Sequence, residues 1–270
     1  MYSTAPMYST APMYSTALMR PTVLVFSGLD PSGGAGIAAD ISAIGAQGAH
    51  ALPIVTALTV QDQNRVHAVV PVEPDLLTRQ AQLLIASARI DAVKLGIPGS
   101  RANAEAIAAL VLQRRARQPQ LPVVLDPVLA SGHGDALARG DARAALAPLL
   151  ALMDSAYSIV VPNLAEAAAL AGVVCANQLI TGGHGDGPEV VNRWRGIQGE
   201  REWRWPRLPG EFHGSGCTLA AAIAARLALG ESMADALEHA QAYTQRCLAA
   251  SFNISLNTGA GQLIPQRFNT

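Results

Sequence analysis

Two stretches of this chain combine reactive side chains with glycines that let a ligand come close. The first is Glu211-Phe-His-Gly-Ser-Gly-Cys-Thr218, a glycine-rich turn that runs straight into an alanine-rich stretch. A turn entering a helix leaves backbone N–H groups unpaired and adds the positive end of the helix dipole. The amides of Gly214, Ser215, Gly216 and Cys217 therefore form a site for an anion that develops during a reaction. The same field predicts a lowered thiol pKa at Cys217, which makes it available as a base or nucleophile. The second stretch is GLDPSGGAG, Gly28 to Gly36, in which glycines permit positive φ and Asp30 supplies an acceptor at the edge of the loop. It lacks the G-K-[ST] of a Walker A loop and does not read G-x-G-x-x-G. Taken alone, it is explained equally well as a plain strand-to-helix turn.

Two further segments add carboxylates. DPV carries Asp126, and PNLAE carries Asn163 and Glu166. A pair of hard oxygen donors with room for water suits Mg²⁺ brought in by a nucleotide's phosphates, because that ion keeps several waters and needs few protein ligands. Singly, each residue reads as a turn or cap residue, with Asn163 where an N-cap would sit. Their joint position raises the functional reading. The remaining candidates are weaker. Cys175 and Cys247 read as small apolar packing groups, and His50, His67, His133 and His239 have no partner at metal spacing. Trp194, Trp203 and Trp205 fall in NRWRGIQGEREWRWPR, a hairpin candidate with an exposed tip. Core packing or a subunit contact accounts for these rings better than nucleic-acid stacking does.

The elements that must position these groups alternate along the chain. Candidate strands are Thr22 to Ser27, Leu52 to Thr56, Ala92 to Leu95, Val123 to Asp126, Tyr157 to Val161 and Leu179 to Thr181. Helix candidates lie at Ile37 to Gln47, Pro74 to Ala88, Arg101 to Arg115, Asp141 to Leu150, Leu164 to Ala171, Thr218 to Leu229 and Met233 to Ser251. Strands apolar on both faces and separated by helices predict an α/β fold, with a mainly parallel sheet covered by helices on both sides. Ligands then sit beyond the carboxyl ends of the strands. Those ends read Gly28 to Gly36, Ala57 to Asp62, Gly96 to Gly99, Asp126 to Val128, Pro162 to Glu166 and Gly182 to His184.

Composition narrows the function. The 270 residues are half hydrophobic, enough for one large core, and the expectation is a single domain over 20–270. The MYSTAP, MYSTAP, MYSTAL repeat reads as a tail or artefact over 1–19, unlike a signal peptide. Lys and Arg (19) against Asp and Glu (20) give 19 − 20 = −1, with no basic stripe for nucleic acid. Three widely spaced cysteines predict a reducing cytoplasm rather than disulfides or a zinc cage. No apolar run has the length of a membrane span, roughly 18 residues.

In this order, GLDPSGGAGI, TALTVQ, KLG, LDPV, PNLAEA, GGH and HGSGCT resemble the hydroxymethylpyrimidine and phosphomethylpyrimidine kinases of thiamine biosynthesis, members of the ribokinase-like superfamily. The resemblance runs from Thr22 to Tyr243, and HGSGC is its most specific element. Most ribokinase-like enzymes end this turn in Asp, whereas this kinase family carries Cys. The resemblance implies ATP- and Mg²⁺-dependent phosphorylation of 4-amino-5-hydroxymethyl-2-methylpyrimidine and then of its monophosphate. It places Cys217 as base, with the Gly214, Ser215 and Gly216 amides around the transferring group. Gly28, Asp30, Ala35, Gln61, Ile97 and Val128 would line the pyrimidine pocket. Asp126 and Glu166 would face the metal, and Asn163, Thr181, Gly183 and His213 the nucleotide. A cytoplasmic homodimer is expected from the family alone. The chain departs from the family pattern at Ile97-Pro98, where Met is usual, at Asp62 for Asn, and at Thr181 for Lys. Only Val173 to Gln178 stand where a further helix is usual. Two alternatives stay open: a pyridoxal kinase of the same superfamily, and a non-catalytic pyrimidine-binding protein.

Overall fold

The computed structural model describes residues 19–129, 141–183, 185–256 and 261–268. The repeat read as a tail lies outside the described residues except for Met19, and so do His133 and His184. Strand β1 (Thr22–Leu29) leads to α1 (Gly36–Ala46), β2 (His50–Gln61), β3 (Val66–Pro71), α2 (Pro74–Ser87), β4 (Ala92–Leu95) and α3 (Arg101–Arg115). Then follow β5 (Val123–Leu125), α4 (Ala142–Leu150), β6 (Ser158–Val160), α5 (Leu164–Ala169) and β7 (Asn177–Ile180). The chain continues through β8 (Glu189–Gly196), β9 (Gly199–Pro206), α6 (Ser215–Ala228) and α7 (Met233–Ala249).

The strands form one nine-stranded sheet in the order β3-β2-β1-β4-β5-β6-β7-β8-β9. From β2 to β7 neighbours run parallel, while β3, β8 and β9 are antiparallel to the strands they join. Central strands are apolar on both faces because each face has its own core. In β1, Val23 and Val25 enter a cluster with α1, α6 and α7, while Leu24 and Phe26 enter one with α2, α3 and α4. Helix α6 packs on α1, α7 and the sheet, so Thr218 to Ala225 are all buried. A helix enclosed on every side must be apolar all round, and alanines let its neighbours approach closely.

From β1 the chain moves outward to β2 and β3, then returns to β4 on β1's other side. That reversal opens a crevice between the carboxyl ends of β1 and β4, where doubly wound sheets bind ligands. Two of the boundaries that differ from the sequence reading bear on the site. Strand β2 runs on through Ala57 to Gln61, read as a loop, because those residues pair with β3, an edge strand the sequence did not reveal. The first turn of α6 begins at Ser215 rather than Thr218. The tryptophan segment is the β8–β9 hairpin, with Ile197 exposed at its tip and Trp194 and Trp203 buried in the core.

Candidate active site

Asp30 follows β1 and gathers donors. Ser32 N, Ser32 Oγ and Ala35 N each donate to it at 2.8 Å, and His213 Nε2 lies 2.7 Å from its Oδ2. Burial would raise this carboxyl, but hydrogen bonds from His213, Gln61 and Ser32 outweigh it and hold Asp30 at about 2. His213, expected beside the nucleotide, thus sits against Asp30 and joins the turn after β1 to the turn before α6. Gln61, inside β2, donates to the same carboxylate. Ile97 packs on Gly28, where a Cβ would strike its side chain, and its carbonyl accepts from Thr56 Oγ1 at 2.5 Å.

The two glycine turns touch backbone to backbone. Gly214 has φ 78°, and a Cβ there would overlap the Gly34 carbonyl oxygen. Only glycine meets both demands. Gly214 is also the N-cap of α6 and offers no side-chain cap, whereas Ser100, Asn163 and Ser232 cap α3, α5 and α7 through side chains. The first amides of α6 are left for a ligand.

Cys217 lies in that first turn, partly buried. Burial first, then the charge of Asp126, push its thiol up to about 12 against the pull of Lys94. The expected thiolate is therefore corrected: the helix-terminus field is outweighed, and Cys217 is a thiol at neutral pH. It hydrogen-bonds to Asp126. Beneath them lies Lys94, completely buried, with Nζ 2.9 Å from Asp40 Oδ2 and 3.9 Å from Asp126 Oδ2. Burial disfavours its charge, but Asp40, Cys217 and Asp126 more than compensate, so its pKa rises. Gly96 leaves room for this ammonium, since a Cβ would crowd Ser27 Oγ and Lys94 Nζ.

On the far side, Asn163 and Glu166 form a capping box. Asn163 Oδ1 accepts from Glu166 N, and Glu166 Oε2 accepts from Asn163 N, each at 2.9 Å. Burial, then the neighbouring Asp126, push Glu166 up to about 7. Thr181 forms a bridge to Asn163. Arg207 donates to the carbonyls of Gly183 and Gly187, each at 2.7 Å. Gly182 N donates to Asn192 Oδ1 at 2.9 Å, and Asn192 and Trp205 both donate to Gln241. No helix intervenes between α5 and β7.

Every residue given a site role in the sequence analysis lines one cavity of about 1040 Å³. Asp30, Gln61, Ile97 and His213 stand toward one end, the α6 turn with Cys217 and Asp126 in the middle, and Asn163, Thr181 and Gly183 toward the other. Arg207 and Gln262 also line it and were not read from the sequence, nor was Lys94 beneath it. A cation fits here: Asp126 and Glu166 both line the cavity, and the charge of Asp126 adds to burial in pushing Glu166 up. A positive charge between them relieves both. Among the described residues no cluster of three His, Cys, Asp or Glu side chains could hold a metal.

Comparison with known proteins agrees with this geometry. Residues 30–263 match the model of the phosphomethylpyrimidine kinase family. The chain belongs to that family. Its relatives include the hydroxymethylpyrimidine/phosphomethylpyrimidine kinases of Escherichia coli, 32% identical over 88% of this chain and 94% of that one, and of Rhizobium meliloti, 34% identical over the same shares. Among solved structures, the phosphomethylpyrimidine kinase of Clostridium difficile superposes with a TM-score of 0.70 at 27% identity, covering 85% of this chain and all of that one. The pyridoxal kinase of Staphylococcus aureus in complex with ADP superposes with a TM-score of 0.77 at 22% identity, over 93% and 95% of the two chains. The latter shows the shared ribokinase-like fold. No helix among the described residues is long and apolar enough to cross a membrane.

Proposed function

We propose that this family member transfers the γ-phosphoryl group of ATP to the hydroxymethyl oxygen of 4-amino-5-hydroxymethyl-2-methylpyrimidine, and then to the resulting monophosphate. The observation that carries the reading is the uncapped α6 turn with Cys217, which opens into the same cavity as Gln61 and the Asp30–His213 pair. Gln61 keeps its carboxamide oxygen for the aminopyrimidine's amino group, while Gly28, Ala35, Ile97 and Val128 bound the ring. The amides of Gly214, Ser215, Gly216 and Cys217 receive the charge that spreads over the phosphoryl oxygens. Phosphoryl transfer depends mainly on such positioning and charge stabilisation.

Cys217 acts as a thiol rather than a resident thiolate. It orients the hydroxymethyl oxygen and takes its proton only as its own proton moves to Asp126, so the O–H bond breaks while an S–H bond is kept. Lys94 and Asp40 fix Asp126 from below. Asn163, Thr181 and Gly183 face the nucleotide, with Arg207 donating to the Gly183 carbonyl. Mg²⁺ would be held by Glu166 and Asp126 and would neutralise phosphate charge. The reading places the activity in the cytoplasm, in a homodimer whose kinase domain spans 20–270.

Cys217 favours the pyrimidine over pyridoxal, since vitamin B6 kinases generally resemble other ribokinase-like enzymes in keeping Asp at this turn. A coupled ATP assay with hydroxymethylpyrimidine, its monophosphate and pyridoxal tests this. Preference for pyridoxal in kcat/KM overturns the substrate assignment, and tight pyrimidine binding without ATP turnover overturns the catalytic one.

A further inference from the structure

Residues 261–268 return across the molecule and close on the two glycine turns. Leu263 N donates to Glu211 O and His213 N donates to Leu263 O, each at 2.8 Å, so this segment runs beside the turn that carries Gly214. Gln262 enters the cavity, its backbone N–H donating to Asn64 Oδ1 at 3.0 Å. Further along, Arg267 is only 5% exposed. Its Nε donates to Thr218 Oγ1 at 2.9 Å, and its Nη2 donates to Gly34 O. Thr218 Oγ1 in turn donates to Gly214 O at 2.8 Å. One guanidinium thus ties together the backbones of both glycine turns.

Its hydrogen-bond partners are neutral oxygens; the Asp40 carboxylate attracts it through space but makes no hydrogen bond to it and is itself paired with Lys94. A buried cation without a directly paired counter-ion is costly, and an arriving anion lowers that cost. The Thr218 hydroxyl and the Gly34 carbonyl accept from its Nε and Nη2, but neither carries charge to balance it. The adjoining site built to receive negative charge is the uncapped start of α6, whose Thr218 is the residue that Arg267 grips.

We propose that Arg267 is a positioning residue for phosphoryl transfer: it locks the two glycine turns in register and sets a desolvated positive charge behind the amides that receive the phosphoryl group. The proposal rests on the kinase reading above. Arg267→Met is expected to lower kcat for the pyrimidine by about tenfold or more, with KM for the pyrimidine within about twofold of the original. Added guanidinium ion restores part of the kcat of Arg267→Ala. Tyr243→Phe serves as the control, since the Tyr243 hydroxyl donates to the Arg267 carbonyl at 2.8 Å and its loss slackens the segment without removing charge. Its kcat stays within about twofold. Undiminished kcat in folded Arg267→Met overturns the proposal, as does a loss that Tyr243→Phe reproduces in full and guanidinium does not relieve. Calorimetry with inorganic phosphate gives a readout independent of turnover: affinity falls in Arg267→Met, and unchanged affinity refutes the electrostatic role. Should Arg267→Met fail to fold, Arg267→Lys replaces it, keeping phosphate affinity while losing kcat because one ammonium cannot grip both acceptors. If the protein phosphorylates no pyrimidine at all, the kinase reading fails, while phosphate binding still decides the role of Arg267.

Discussion

Replacing Glu166 with glutamine is expected to stabilise the protein at pH 8 and to leave it nearly unchanged at pH 4. In the folded chain burial and Asp126 push this carboxyl from an ordinary 4.5 to about 7. The folded state therefore holds the proton more tightly than the unfolded chain. The stabilisation from the neutral form is complete below 4.5 and is lost as pH rises through 7. The gap of 7 − 4.5 = 2.5, at about 1.4 kcal/mol for each factor of ten, comes to about 3 kcal/mol lost by pH 8. Glutamine keeps the side-chain acceptor that Asn163 N uses at 2.9 Å, but carries no charge. Urea unfolding of both proteins from pH 4 to pH 8 measures the difference. It should be near zero at the acid end, open between those two pKa values and level off at about 3 kcal/mol in favour of Glu166→Gln. A difference that stays constant with pH, or a wild type more stable at pH 8, refutes the reasoning. Mg²⁺ at pH 8 should narrow the gap by stabilising the wild type alone.

Other perturbations test other parts of the site. Lys94→Met leaves Asp40 and Asp126 buried without their cation and is expected to cost about 3–5 kcal/mol in urea unfolding, part of which Asp40→Asn restores in the double variant. Gly214→Ala must move two backbones apart at φ 78°, so kcat should fall by at least about tenfold and stability by about 1–3 kcal/mol. Because its thiol lies at about 12, Cys217 should react slowly with iodoacetamide at neutral pH and faster only in strong alkali, as read by mass spectrometry. Rapid alkylation at neutral pH would contradict the buried thiol. Cys217→Ala should lower kcat far more than it raises KM.

The sequence exposed the parts of this fold whose cause is local. Strands with two apolar faces announce themselves as short β-branched runs, and the glycines and carboxylates after them mark the carboxyl edge of the sheet. Strand β3 escaped because it is an edge strand with no burial pattern of its own, recognisable only through its pairing with Ala57 to Gln61. The thiol of Cys217 was misjudged because the helix-terminus rule is local, whereas the burial that raises its pKa first, and the Asp126 carboxylate that adds to it, come from segments far away in the chain. Lys94 did leave a signal, a lone charge inside the apolar strand AVKL, whose partner Asp40 lies on α1, four elements earlier. Nothing in the sequence pointed to Arg267, whose importance arises only where the final segment meets both glycine turns.

The contact between Gly34 and Gly214 also sets a length standard. Because main chain meets main chain there, the separation between the turn after β1 and the first amides of α6 is set by backbone van der Waals contact rather than by side chains. Side-chain exchanges at Gln61, Ile97 or Val128 can reshape the ring's surroundings, but they cannot stretch this axis. Descendants of this scaffold are thus free to change which ring they accept, but not how far its reactive arm projects.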